Sequence, residues 1–197
     1  MVNVRPLSRD DLEAEFGDYL SVVERSMGFV PNSLFTLARR PEILRAFAAF
    51  AGAILGPGAL PRELKQLIAL MASTSAGCRY CQAHTSSTAA RMAGDAARVE
   101  AVYEFETSDA FSEGERAALR LARDAGLVPN ATTNEHFVDL RKHYDDGQVV
   151  EMMAVVGLFG FLNRWNDSMA TELEEEPLAF ASAHLADHGW EAGKHSS

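Results

Sequence analysis

The sequence predicts an all-α protein, and three observations carry that expectation. Strand signals are missing, with few alternating β-branched runs and no Asn-Gly hairpin. Prolines and glycines bracket segments whose apolar residues recur at helical spacing. Ser and Thr stand three residues before Glu or at the head of apolar runs, where they would cap a helix.

Residues 1–40 are expected to form an N-terminal helical extension. Pro41 opens PEILRAFAAFAGAILG, since proline is favoured at a first helical position. Pro61 opens PRELKQLIALMASTSAG, in which Leu64, Leu67, Ile68 and Met71 share one face. CRYCQAHTSSTAARMAG follows and is closed by Gly94. Ser112 and Glu115 have capping-box spacing before RAALRLARDAGL, and Thr133 caps NEHFVDLRKHY. A long run begins at Gln148, QVVEMMAVVGLFGFLNRWNDSMATEL, and a last helix starts at Pro177. The acidic stretch ELEEEP reads as a solvated helix end, and residues 189–197 as a frayed tail. No Pro-, Gly- or Ser-rich linker divides the chain. The expectation is one domain, 1–197, of about eight to ten helices with its core over about 41–170.

One internal relation stands out. A shift of 85 residues lays QLIALMASTSAGCRYC, from Gln66, over EMMAVVGLFGFLNRWN, from Glu151. Arg79 then meets Arg164, Tyr80 meets Trp165, and Cys78 and Cys81 meet Asn163 and Asn166. This fits a duplicated helix pair in which the first copy kept its thiols, or two unrelated apolar helices.

Composition narrows the function. A chain of 197 residues, 47% hydrophobic, can bury a sizeable core without disulfides. Eighteen basic residues against 28 acidic give a net charge of −10, which repels phosphate backbones and excludes a nucleic-acid role without a local basic patch. The N-terminus has no signal-peptide pattern, and MMAVVGLFGFL is too short to span a bilayer, so no membrane role and a cytoplasmic location are expected.

The two cysteines lie in GCRYCQAHTSS. Gly77 breaks the preceding helix, so Cys78 falls at a helix start, where free N–H groups and the helix dipole favour a thiolate. Cys81 and His84 follow at intervals of three and share its face. That spacing permits a disulfide, and it puts an acid/base group beside Cys81. Two other readings stay open: both cysteines as buried small hydrophobes, and a zinc site with Cys78, Cys81 and His84 as three of four ligands. Haem attachment would need a His where Gln82 stands, and a thioredoxin-like setting would need strands.

The helix LPRELKQLIALMASTSAG running into CRYCQAHT resembles the carboxymuconolactone decarboxylase family, in its alkyl hydroperoxidase D-like, peroxidase-related branch. SEGERAALRLAR through VVEMMAVVGLFGFLNRWND resembles the second half of the longer members, so the likeness covers roughly Pro41 to Met169. It implies an antiparallel helical bundle, assembled as a homo-oligomer, without metal or organic cofactor. It also implies a peroxidase acting on organic hydroperoxides. Cys81 would attack, Cys78 would resolve the product as a disulfide, His84 would serve as acid/base, and an external thiol or dithiol would restore the pair. Two positions depart from the pattern: Thr85 stands where the histidine often lies, and Gln66 where the proton-relay glutamate is expected. Glu63, one turn before Gln66, is the candidate substitute, and Tyr80 a candidate pocket wall. A lactone-decarboxylating lyase, a dithiol reductase with another oxidant, and a non-catalytic helical oligomer are the alternatives.

The remaining candidates are weaker. Arg79 and Arg164 would shape local electrostatics or join ion pairs. His136 and His143 read as solvated, and His184 with His188 as a weak metal-chelating pair. The Met-rich run beginning at Met152 reads as core or oligomer interface.

Overall fold

The computed structural model describes residues 2–196 and contains ten α-helices. They are α1 (Arg9–Met27), α2 (Asn32–Leu37), α3 (Pro41–Leu55), α4 (Arg62–Ala76), α5 (Arg79–Ala93), α6 (Ala97–Ala101), α7 (Glu113–Gly126), α8 (Asn134–Leu140), α9 (Asp146–Met169) and α10 (Glu175–His184). Among the described residues there is no strand, and no helix is long and apolar enough to cross a membrane.

The caps explain the boundaries. Ser8, Ser112 and Asp145 each form a capping box with the residue three positions on, opening α1, α7 and α9. Thr133 opens α8, its N–H donating to the His136 ring. Pro41 is the first residue of α3, whereas Pro61 sits one residue before α4 as its cap.

Helix α4 is the hub. Leu67, Ile68, Ala69 and Leu70 are fully buried, so the helix is enclosed on every side, by α5, α7 and α9. Close approach of α7 depends on Gly126: a Cβ there would lie 2.8 Å from the Ala72 carbonyl oxygen. A second cluster joins Leu12, Phe16 and Leu20 of α1 to Val30, Leu34, Leu37 and Leu44. The charge of the buried Lys65 is satisfied by Glu151 and by the carbonyls of Ile54 and Gly56, both at 2.8 Å. Glu151 also accepts the N–H groups of Ala59 and Leu60, so this pair pins the loop between α3 and α4.

Two expectations change. The segment matched to residues 66–81 is one uninterrupted helix, α9, where the first segment breaks at Gly77. No helix pair is repeated there. The C-terminal tail is not frayed over its described part, Gly189 to Ser196; Ser197 lies outside the described residues. Trp190 is buried and its Nε1–H donates to the Arg79 carbonyl at 3.0 Å. The buried His195 donates from Nδ1 to the Thr171 carbonyl at 2.7 Å, and its own carbonyl accepts the Leu173 N–H at 2.9 Å. An indole and an imidazole that both bury their rings and find partners outweigh the entropy of a short tail.

Candidate active site

The site begins where α4 ends. Gly77 adopts φ +74°, a left-handed conformation that costs a side chain strain, and its N–H closes back on the Thr74 carbonyl at 3.1 Å. The chain then starts α5 with Cys78 as its cap. The Cys78 sulfur accepts the Cys81 N–H at 3.5 Å, in the place usually taken by a Ser or Asp oxygen. Both cysteines are free and buried.

The two thiols occupy different environments. The hydrogen bond with the Cys81 thiol, with the Cys81 N–H adding to it, holds Cys78 below the ordinary thiol value despite burial. Burial pushes Cys81 well above that value, and the proximity of Cys78 adds to it. Asn166 opposes the rise by donating from Nδ2 to the Cys81 sulfur at 3.5 Å. Cys78 is lowered and Cys81 raised, the order the helix-start argument expects, but the first cause at Cys78 is the Cys81 thiol rather than the helix terminus.

Cys81 lines a cavity of about 400 Å³, and Cys78 is not among its lining residues. Gln66, Tyr80, His84 and Asn166 join Cys81 there. The remaining wall is mostly apolar, supplied by Val22 and Val23 of α1, Phe47 and Leu55 of α3, and Phe159 and Leu162 of α9. Gln66 thus reaches the site, as its position suggested. Glu63 does not: it pairs with Arg98 at 3.0 Å, which also holds Glu115 at 2.6 Å. One turn of α4 is enough to send residue 63 toward α6 and α7.

His84 has a partner that the sequence did not reveal. His84 Nε2 lies 2.5 Å from Glu174 Oε2. The other Glu174 oxygen accepts the Asn32 N–H at 2.5 Å and the Tyr80 hydroxyl at 2.9 Å. Tyr80 stacks on the His84 ring with centroids 4.2 Å apart, and Phe29 meets its edge at 5.2 Å. ELEEEP is therefore not simply a solvated helix end: the Glu174 side chain is only 11% exposed. Burial alone would raise its carboxyl, but the His84 charge and hydrogen bond, with the Asn32 N–H, bring it below the usual carboxylate range. Burial and the Glu174 charge push the Tyr80 hydroxyl well up, so it stays a donor.

Other candidates fall elsewhere. Arg164 donates to the Gly160 carbonyl at 2.6 Å and borders a second cavity of about 360 Å³ with Asn163 and Asp167. Arg79 contributes its carbonyl, to Trp190. His143 is exposed, whereas His136 is half-buried, bound to Asp124 at 2.8 Å. His184 pairs with Glu100 at 2.7 Å and His188 stacks on Tyr103, so neither is turned to the other. Among the described residues no three His, Cys, Asp or Glu side chains are placed to hold a metal ion, and His84 commits Nε2 to a carboxylate.

Residues 41–124 match the model of the carboxymuconolactone decarboxylase family. The structure of the debrominase Bmp8 superimposes over 91% of this chain and 96% of its own, with a TM-score of 0.86 and 36% identity. This chain belongs to the carboxymuconolactone decarboxylase family. A Cys-to-Ala variant of Bmp8 in complex with 2,3,4-tribromopyrrole superimposes equally well, over 93% of this chain and 97% of that one, with a TM-score of 0.87 and 34% identity. An alkylhydroperoxidase AhpD core from Ralstonia eutropha JMP134, an uncharacterized peroxidase-related protein, shares the fold: TM-score 0.79, 23% identity, 89% of this chain and 94% of that one. The fold is thus the alkyl hydroperoxidase D-like helical bundle. Among curated proteins, YdfG of Bacillus subtilis is 28% identical over 106 residues, 53% of this chain and 70% of its own. YnjA of Escherichia coli is 30% identical over 92 residues, 47% of this chain; the chain spans half the length of that relative. The family match includes Gln66, Cys78, Cys81 and His84, and it ends 50 residues before Glu174 (174 − 124).

Proposed function

We propose that this protein is a two-thiol reductase of small, mainly apolar electrophiles, with a halogenated aromatic ring as the favoured substrate class. One observation carries the reading: the sulfur that reaches the apolar cavity is Cys81, with the more acidic Cys78 one turn behind it. The likeness to a debrominase over nearly the whole chain supports the substrate class.

In the proposed reaction Cys81 enters as the thiol and the more acidic Cys78 as the thiolate. Cys81 attacks the halogen of the ring, His84 delivers the proton to the carbon left behind, and Cys78 closes on Cys81. One thiol, one thiolate and an aryl bromide give a disulfide, the hydrogen-bearing ring and bromide, so atoms, charge and two electrons balance. An external thiol returns the pair to its reduced form by exchange. An organic hydroperoxide is the second reading, favoured by the acid/base group next to the sulfur. The same pair would then give an alcohol, hydroxide and the disulfide. Lactone decarboxylation would use neither sulfur, and a reaction that survives thiol alkylation would restore it. Assembly as a homo-oligomer belongs to the proposal too: Ile43 and Phe50 of α3 and Val150 and Phe161 of α9 leave apolar side chains exposed.

The test is a titration of reduced protein with 2,3,4-tribromopyrrole and, separately, with cumene hydroperoxide, counting thiols and bromide. The expected result is two thiols lost and one bromide released per disulfide with the bromopyrrole. Loss of thiols to the hydroperoxide alone would select the second reading. Thiols that survive both reagents would overturn the reductase.

A further inference from the structure

We infer that Glu174 is the positioning residue of this site, fixing the orientation and tautomer of His84 so that its second ring nitrogen serves the bound substrate. The inference rests on the two-thiol reading for its kinetic consequence, and on geometry alone for the orientation of the ring.

Glu174 is held from three directions. The Asn32 N–H at the start of α2 and the Tyr80 hydroxyl on α5 both donate to one oxygen, which leaves the other for His84 Nε2. Behind it, the Leu173 N–H is tied to the His195 carbonyl and His195 is tied to Thr171, so the docked tail keeps residue 174 in register. A carboxylate this well fixed determines which imidazole nitrogen carries the proton: Nε2–H faces Glu174. Nδ1 makes no hydrogen bond among the described residues, and His84 lines the cavity beside Cys81. That nitrogen is the one available to hold and release a proton at the substrate. Tyr80 stacked on one face and Phe29 at the edge prevent the ring from turning over. Gln66, also in the cavity, cannot play this part because an amide does not ionise.

The experiment compares the full chain with Glu174→Gln, Glu174→Asp and Tyr80→Phe, each checked for an unchanged helical spectrum and melting temperature within a few degrees. Imidazole ¹⁵N spectra of the reduced proteins read the tautomer with no substrate present. Stopped-flow loss of thiols to 2,3,4-tribromopyrrole and to cumene hydroperoxide reads the rate. With the ring titrated to its neutral form, the expected result is an Nε2–H tautomer for His84 in the parent and a mixture of tautomers in Glu174→Gln. That variant should lose about tenfold or more in the maximal rate, at unchanged half-saturating substrate, as expected for a misplaced acid/base group. Glu174→Asp should recover part of the loss, and Tyr80→Phe should lose less than Glu174→Gln. Wild-type tautomer and rate in Glu174→Gln would overturn the inference. If the parent loses thiols to neither reagent, the reductase reading fails while the tautomer comparison still decides the role of Glu174.

Discussion

Residues 66–81 and 151–166 show the same register of apolar side chains ending in Arg and an aromatic, yet they fold differently. The first bends at Gly77 and begins a new helix whose cap is a sulfur; the second continues straight as α9. The two meet at the site, where Cys81 receives the amide of Asn166, its counterpart in the 85-residue alignment. The break supplies a helix start that carries both thiols, and the unbroken helix supplies a wall of the cavity and a hydrogen-bond donor. One left-handed glycine accounts for the difference.

The comparison is broken most completely at Cys81. Cys81→Ser should bring thiol-dependent turnover of either reagent to the no-enzyme rate, whereas Cys78→Ser should still consume one thiol per molecule and form no internal disulfide; mass spectrometry after stoichiometric oxidation distinguishes them. Asn166→Leu removes the donor on the facing helix, which should push the Cys81 thiol further up. Its alkylation by iodoacetamide at neutral pH should slow by about three- to tenfold, in line with the loss of one hydrogen bond of about 1 kcal/mol.

A single substitution type sharpens the contrast between the two helices. Gly77→Ala forces a Cβ into φ +74° and should cost about 1–2 kcal/mol, a fall in melting temperature of about 2–8 °C. Gly157→Ala, inside α9 with nothing near its added methyl, should instead stabilise by about 0.5–1 kcal/mol. Calorimetry of both variants reads the opposite signs directly.

The smallest expected effect concerns the tail. Burial holds the His195 imidazole below its usual value near 6.5, outweighing the raising effect of the Thr171 carbonyl. A base with a lowered folded value binds protons more readily when its segment is released. The docking contribution is therefore complete above pH 6.5 and declines as pH falls from there toward the lowered value. Trp190 emission should shift toward that of a solvated indole over that window, and His195→Gln should flatten the change.

The fold was legible because its signals are local. Pro41, the capping boxes at Ser112 and Thr133 and the glycines at 77 and 94 each act within one helical turn, so reading them requires no tertiary knowledge. The placement of Cys78, Cys81 and His84 on one helix start was legible for the same reason. Glu174 was not, because its partner is 90 residues away and it sits in a run of acidic residues where a buried member looks like its solvated neighbours. Glu63 misled because spacing of three from Gln66 suggests a shared face, while Arg98 draws it to the other side. The tail misled because a short polar C-terminus usually frays; an indole N–H and an imidazole ring with waiting carbonyls reversed that balance.

The position of Glu174 also bears on how the molecule is made. Translation delivers residues from the N-terminus, and chains begin to organise in that order. Both cysteines and His84 leave the ribosome long before residue 174, and the segment that backs it, with Trp190 and His195, follows later still. A nascent chain therefore carries its sulfurs and His84 before the carboxylate that pairs with His84. On the two-thiol proposal, His84 gains its orienting carboxylate only after residue 174 has emerged and docked.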